Sequence, residues 1–138
     1  HVRADRPRYP LAKERGLEIA SAFFAATREG DLESLRALLA DDVTVSADGG
    51  GRVPATGQTI RGMEEVVRLH ALLARIFARE RSKLVRYCFV NGLPGFVTVE
   101  QGSTLQTTAL QIQEDRIVAV YVTRNPDKLR HLAGIAIQ

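Results

Sequence analysis

Three side chains in this 138-residue sequence could do acid–base chemistry if the fold brings them together. Asp48 ends an alternating run, and Tyr87 and Tyr121 lie in later strand-like runs. A carboxylate whose pKa is shifted inside a dry cavity can act as a general acid or base. The alternative is structural: Asp48 bonds to the loop after it, and the tyrosines fill core with paired hydroxyls. One acid and two tyrosines are common in any domain, so the residues alone favour the structural interpretation.

Three consecutive glycines, Gly49–Gly51, follow Asp48 in the stretch DGGGRVP. They lack the spacing of a phosphate-binding loop, and the chain continues through Arg52 to Pro54 and not into a helix N-terminus. The stretch is not a dinucleotide-binding fingerprint either, because no strand–helix–strand unit surrounds it. Glycine tolerates positive φ angles, so a wide turn is the simplest structural role for this loop.

The histidines and the cysteine give no metal site or cofactor site. His1, His70 and His131 are far apart in sequence, and no Cys/His cluster has the spacing of a zinc site. We therefore predict neither a metal nor a cofactor. His70 falls in a helical run and is expected at the boundary of the core, where it would not serve as a catalyst.

The stretch TRNPDKLRHL (123–132) has the composition of a well-capped last helix. Asn125 is a good N-cap residue, and Pro126 fits the first helical position. Asp127 suits the positive end of a helix, and Lys128 suits the negative end. A structural role therefore accounts for these residues, unless a partner also contacts them.

Apolar periodicity predicts three helices and a series of strands. A first helix is predicted over 11–29 with Gly30 ending it, a shorter helix follows a cap at Asp31, and a third spans about 62–79. VTVSAD alternates like a strand, and a short strand is expected near Thr59. Four further strands follow from Lys83 onward, separated by short turns that include Asn-Gly. Because their connections are so short, these four strands must run antiparallel.

This order of elements predicts an α+β fold in which a curved antiparallel sheet wraps around three helices. Such a sheet forms a cone with an apolar pocket, a geometry that suits small molecules. Residues 11–138 are expected to be one domain. No run is long and apolar enough to span a membrane, and the basic start HVRADRPR lacks a signal region, so the expected location is cytoplasmic.

The sequence resembles a known family over nearly its whole length. The stretches DGGGRVPA (48–55), IRG (60–62), VNGLPG (90–95) and YVTRNPDKLRHL (121–132) stand in the family's order and spacing. The family is the SnoaL-like C-terminal domain of extracytoplasmic-function RNA polymerase sigma factors of the SigJ-like group. The resemblance implies the nuclear-transport-factor-like cone fold, regulation of transcription initiation, and no catalysis. Residues 1–10 resemble the linker from an upstream sigma domain.

The resemblance also implies partners and contact residues. The partners are the factor's own DNA-binding sigma regions and the RNA polymerase core, with DNA bound only through the missing upstream domains. Arg52 stands where the family usually has lysine, which keeps the charge and changes its geometry. The residues implied to make regulatory contacts are Asp48, Gly49, Gly50, Gly51, Arg52, Asn125, Pro126, Asp127, Lys128 and Leu129.

Two alternatives accompany this interpretation. The first is a small-molecule enzyme of the ketosteroid-isomerase or polyketide-cyclase type, with Asp48, Tyr87 and Tyr121 in the pocket. The second is a regulatory domain whose cone binds an apolar small molecule that shifts its packing. Many domains of this fold pair through the open face of the sheet, so the isolated chain is a candidate homodimer.

Overall fold

Three helices pack against one face of a six-stranded sheet. The structure, a computed structural model, describes residues 12–48, 59–79, 82–100, 102 and 104–125, with only the backbone of Asp48 and Asn125. The helices are α1 (Lys13–Glu29), α2 (Leu32–Leu38) and α3 (Met63–Arg79). The strands are β1 (Leu39–Asp48), β2 (Thr59–Arg61), β3 (Lys83–Val90), β4 (Leu93–Glu100), β5 (Thr104–Gln113) and β6 (Arg116–Asn125).

The junction between α1 and α2 forms as the sequence predicts. Gly30 adopts a left-handed conformation with φ of 72° and ends α1, where its N–H donates to the carbonyl of Ala26. Asp31 caps α2, since its carboxylate accepts from the N–H of Ser34 at 3.1 Å. The predicted helix boundaries are therefore confirmed here, and α2 and β1 meet at Leu39 without a loop.

The strand order is β2-β1-β6-β5-β4-β3, and the four strands from β3 to β6 form the predicted antiparallel meander. The sheet departs from the predicted antiparallel pattern at one pair, because β1 and β6 run parallel. The connection from β1 to β6 is long, because it contains β2, α3 and the strands β3 to β5. The rule that a short connection makes two strands antiparallel therefore does not apply to this pair. The sheet is open and mixed, and the α+β cone fold is confirmed.

The core lies between the helices and the concave face of the sheet. Apolar side chains of α1 and α3 meet the inward-facing residues of four strands, which alternate with outward-facing residues. None of the described helices has both the length and the apolar composition to cross a membrane. The largest fully buried apolar side chains are Phe23, Phe96, Ile19, Leu35, Leu39, Leu110, Ile117, Val43, Val66 and Val120.

The hairpin between β3 and β4 gives a structural reason for the VNGLPG stretch. Asn91 and Gly92 both have positive φ angles, 51° and 82°, which is the geometry of a tight hairpin turn. Gly95 lies against the neighbouring strand, where an added Cβ would sit 1.9 Å from the carbonyl oxygen of Thr108. Both glycines are therefore required by the backbone, and the predicted Asn-Gly hairpin is confirmed.

Candidate functional site

The two motifs that the resemblance identifies leave the sheet at the same end. The last residue of β1, Asp48, pairs with Thr123 of β6, and Asn125 at the end of β6 pairs with Leu105 of β5. Because β1 and β6 are parallel neighbours, the chain continues past both strands from adjacent positions. We call this edge the motif end of the sheet.

Most residues of the two motifs lie outside the described part of the chain. These are Gly49, Gly50, Gly51, Arg52, Pro126, Asp127, Lys128 and Leu129. The predicted last helix also falls there. The backbone of Asn125 belongs to β6, so the strand ends at the residue that the sequence suggests as a helix cap.

A buried ion pair lies at the motif end, between the end of α1 and the end of β4. The Nη2 of Arg28 donates to Oε2 of Glu100 at 3.0 Å, and the side chains are 14% and 7% exposed. The hydroxyls of Ser82 and Thr98 donate to the same Oε2, at 2.7 Å and 2.6 Å. These four side chains form the Arg28 cluster, in which three donors converge on one carboxylate oxygen.

Three aromatic rings surround the Arg28 guanidinium. Its central carbon lies 4.8 Å from the ring centroid of Phe24, 4.2 Å from that of Phe77 and 5.6 Å from that of Phe96. These distances allow cation–π contact, which is strongest when the cation is withdrawn from water. Burial lowers the pKa of Arg28, and Glu100 opposes this effect by raising it. The arrangement holds the two charges in place and supplies no free group for proton transfer.

The structure does not bring Tyr87 and Tyr121 together. Tyr87 faces the helices, and its ring centroid lies 6.2 Å from those of Phe24 and Phe96. Tyr121 alternates with the inward-facing Val120 and is 42% exposed on the opposite face, where its hydroxyl donates to Gln111. The two hydroxyls therefore cannot act on one ligand position, and the expectation of a shared pocket does not hold for this pair.

His70 is buried in the interior and not at the boundary where the sequence placed it. Its Nδ1 lies 2.9 Å from the carbonyl oxygen of Val66, and its ring meets Phe23 edge-on at 5.6 Å. A carbonyl oxygen only accepts, so Nδ1 carries the proton and Nε2 is an acceptor in the neutral ring. Burial lowers the pKa of His70, and the Arg28 cation lowers it further.

This burial predicts a pH dependence of stability. Because the folded-state pKa of His70 is depressed, its contribution is complete above the unfolded pKa of about 6.5 and is lost as the pH falls toward the folded pKa. We expect His70→Phe to remove up to about 1.4 kcal/mol per pH unit of slope in this range. Urea unfolding of both proteins between neutral and mildly acidic pH measures it. Equal slopes would show that His70 titrates normally in the folded protein.

Comparison with known proteins identifies a sigma-factor relative. The sequence matches no family model. It is 30% identical over 119 residues to the ECF RNA polymerase sigma factor SigJ of Mycobacterium tuberculosis, a match that covers 80% of this chain and 38% of SigJ. This chain is related to SigJ. The crystal structure of that factor superposes with a TM-score of 0.62 at 26% identity, over 83% of this chain and 44% of the SigJ chain.

Other solved structures share the fold of this chain. A SnoaL-like protein of unknown function from Burkholderia thailandensis has a TM-score of 0.67 at 14% identity, over 83% of this chain and 98% of its own. A proposed ketosteroid isomerase from Kribbella flavida has a TM-score of 0.56 at 15% identity, over 80% of this chain and 78% of its own. At these identities the likeness concerns the fold alone, and the fold is SnoaL-like.

No pattern in the sequence points to the Arg28 cluster. Arg28 and Glu100 are 72 residues apart, and neither belongs to a motif or a spacing pattern. The one signal in the sequence is that Glu100 follows Phe96 and Thr98 at the strand period, which places an acid on the buried face of β4. A buried acid requires a partner, but the sequence does not say which of the many arginines supplies it.

Proposed function

We propose that this chain is the regulatory domain of an extracytoplasmic-function sigma factor and modulates transcription initiation through contacts with the factor's sigma regions and linker. The observation that carries the proposal is the 30% identity with SigJ over 119 residues. The chain spans less than half of SigJ, so RNA polymerase and promoter DNA are partners of the whole factor. DNA contact is then made by domains outside this chain, and the domain works in the cytoplasm without catalysis.

The proposed contact surface is the motif end of the sheet. It comprises Asp48, Gly49, Gly50, Gly51, Arg52, Asn125, Pro126, Asp127, Lys128 and Leu129. The parallel pairing of β1 with β6 supports it, because the chain enters both motifs from neighbouring strands. Glycines expose backbone N–H groups with little steric obstruction, and Arg52 adds a planar donor group suited to a carboxylate or phosphate.

Transcription in vitro tests the regulatory role. Three forms of the intact factor are compared: the full-length protein, a form that ends before this domain, and a form that lacks only residues 125–138. We expect both truncations to change promoter-dependent transcript yield, because each removes part of the contact surface. Identical transcription by all three forms would contradict regulation by this domain.

Two charge substitutions test the contact surface itself. Arg52→Ala and Asp127→Ala are expected to leave the melting temperature nearly unchanged, since an exposed charge contributes only about 0–1 kcal/mol to stability. Each is expected to weaken association with separately supplied sigma regions by roughly 1–3 kcal/mol, through loss of a charge-assisted contact. Arg36→Ala is the matched control, because Arg36 pairs with Glu64 in an exposed contact between α2 and α3.

The control, Arg36→Ala, should leave association unchanged. It should shift the melting temperature by no more than a few degrees. Gly50→Val is a further comparison, which we expect to disturb the loop backbone. If Arg52→Ala and Asp127→Ala both lower the melting temperature strongly and leave association intact, the two motifs stabilise the fold and do not form a docking surface.

A small-molecule enzyme of the ketosteroid-isomerase or polyketide-cyclase type is the second candidate, and the Kribbella flavida neighbour favours it. Two observations argue against it: the buried carboxylate of Glu100 is already paired, and Tyr87 and Tyr121 lie on opposite faces. The enzyme hypothesis requires that Asp48→Asn abolish turnover of a substrate. Assay of a ketosteroid and of cyclase substrates with both proteins tests it, and any turnover lost in the variant would support catalysis.

We also propose that a small molecule bound in the cone tunes the regulatory contacts. A ligand has this effect only if it binds the two packed states with different affinities.

Homodimerisation of the isolated chain through the open face of the sheet is a separate proposal. Light scattering measures the mass of the isolated chain and of the intact factor. It shows whether only the isolated chain dimerises or the intact factor does so too.

A further inference from the structure

A row of polar side chains crosses the concave face of the sheet near the motif end. Thr98 pairs with Gln106, and Gln106 pairs with Arg124, so the three residues lie side by side on β4, β5 and β6. Residues directly opposite in a ladder point to the same face. The Thr98 hydroxyl bonds to Glu100, the partner of Arg28 on α1, so this row faces the helices.

Thr108 adds a second polar position to the same face. It pairs with Phe96, whose ring packs on Phe23 and Phe24 of α1, and with Val122 on its other side. The neighbouring inward positions are apolar, including Leu110 and Val122. The wall around Gln106, Thr108 and Arg124 is therefore apolar with a few polar groups, the usual composition of a small-molecule site.

Several of these polar groups have no hydrogen-bond partner within the described residues. The Thr108 hydroxyl and the side-chain nitrogen of Gln106 form none there, although the two residues are only 3% and 5% exposed. Yet no side-chain nitrogen or oxygen of the described chain is both sealed from solvent and unbonded. Each of the two groups therefore either keeps some contact with solvent or bonds to a residue outside the described part of the chain, and both residues lie on the inner face of the sheet.

The charges of the described residues in this region are not balanced. Arg124 is half-buried, and its Nε donates to Oε1 of Gln106 at 2.7 Å. No carboxylate of the described residues pairs with it, since Glu100 is engaged by Arg28. Arg124 is also close enough to Arg28 to lower the pKa of that guanidinium. Among the described residues, two cations thus accompany one anion here, and an unmatched charge away from bulk water favours an anionic partner.

We propose that Arg124, Gln106 and Thr108 form an interior site, the Arg124 site, for a small organic anion: a monocarboxylate with an apolar body. The planar Arg124 guanidinium pairs with the carboxylate, while the Gln106 amide and the Thr108 hydroxyl supply further donors. The apolar body packs against the side chains that surround them. The Arg124 site specifies which class of small molecule would tune the regulatory contacts proposed above. Only the biological role of the site rests on that proposal.

Binding of simple carboxylates to this chain tests the Arg124 site. Acetate, hexanoate, decanoate and benzoate are titrated at millimolar concentrations, with hexan-1-ol and sulfate as neutral and inorganic controls. Melting temperature and ligand-observed NMR report binding. We expect at least one of the longer carboxylates to bind saturably and to raise the melting temperature. Hexan-1-ol and sulfate are expected to bind at least about tenfold more weakly. No binding by any carboxylate, or equal binding of either control, would overturn the proposal.

Substitutions locate the bound carboxylate. Arg124→Gln is expected to weaken carboxylate binding about tenfold or more. Thr108→Val, which preserves the side-chain shape, is expected to weaken that binding less. Arg86→Gln is the matched control, because Arg86 is exposed on β3 next to the inward-facing Tyr87 and so on the outer face. Unchanged binding by both Arg124→Gln and Thr108→Val would place the ligand elsewhere and refute the site.

The carboxylate titration and the transcription experiment fail independently. If no carboxylate binds but truncation still alters transcription, the Arg124 site is wrong and the regulatory proposal stands. If a carboxylate binds at Arg124 but truncation has no effect on transcription, the site is real and the regulatory role is wrong.

Discussion

Arg28→Met is expected to lower the free energy of unfolding by about 3–5 kcal/mol. The substitution keeps much of the side-chain volume but leaves the Glu100 carboxylate 7% exposed without its cation. It also removes the charge that lies against the rings of Phe24, Phe77 and Phe96. Burying an unpaired charge is among the most costly single changes, and both members of this pair are well below one-third exposed. Urea unfolding followed by circular dichroism measures the loss.

Two comparisons make the Arg28 experiment specific. Arg36→Met removes an arginine from the exposed pair with Glu64 and should cost no more than about 1 kcal/mol. Adding Glu100→Gln to Arg28→Met should recover part of the stability, because a neutral amide needs no cation. If Arg28→Met costs no more than Arg36→Met, the buried pair is not a determinant of stability.

Gly95→Ala is the second substitution with a large expected effect. The new Cβ would lie 1.9 Å from the carbonyl oxygen of Thr108 and 2.9 Å from its carbonyl carbon, so β4 and β5 would have to separate. Backbone atoms in the middle of a sheet cannot move without loss of ladder hydrogen bonds. We expect a loss of about 3 kcal/mol or more, at or beyond the upper end of ordinary overpacking, or failure to fold. Soluble yield and urea unfolding measure the effect.

Gly92→Ala is the matched control in the same hairpin. No atom lies within 4 Å of the Cβ it would add, but its φ of 82° disfavours any residue with a Cβ. The expected cost is about 1–2 kcal/mol, from backbone conformation alone. Equal effects at the two positions would mean that β5 yields to the Gly95 side chain more easily than the geometry indicates.

The stretches that carry the family resemblance differ in physical role. VNGLPG is explained within the fold by the turn at Asn91 and Gly92 and by the close approach at Gly95. IRG ends the short strand β2, and its Gly62 has a φ of 92°. The glycine loop and the C-terminal motif follow β1 and β6 in sequence and lie almost entirely outside the described residues, and these are the stretches for which we propose regulatory contacts.

The amino-acid sequence by itself determined the local elements and the fold class. Gly30 and Asp31 separated the first two helices, the Asn-Gly turn placed the first hairpin, and short connections made β3 to β6 antiparallel. Each of these features depends on residues within a few positions of one another, through helical and strand periodicity or turn geometry. The order of elements also predicted the cone architecture, with which the family resemblance agreed and which the SnoaL-like structural neighbours share.

Only the tertiary structure decided which distant residues meet. The parallel pairing of β1 with β6, the Arg28–Glu100 pair and the opposite faces of Tyr87 and Tyr121 all depend on strand order and register. Periodicity gives each strand two faces but does not say which face of one strand aligns with which face of another. That choice follows from the packing of the whole core, in which burial of apolar side chains and the matching of Arg28 with Glu100 are satisfied together.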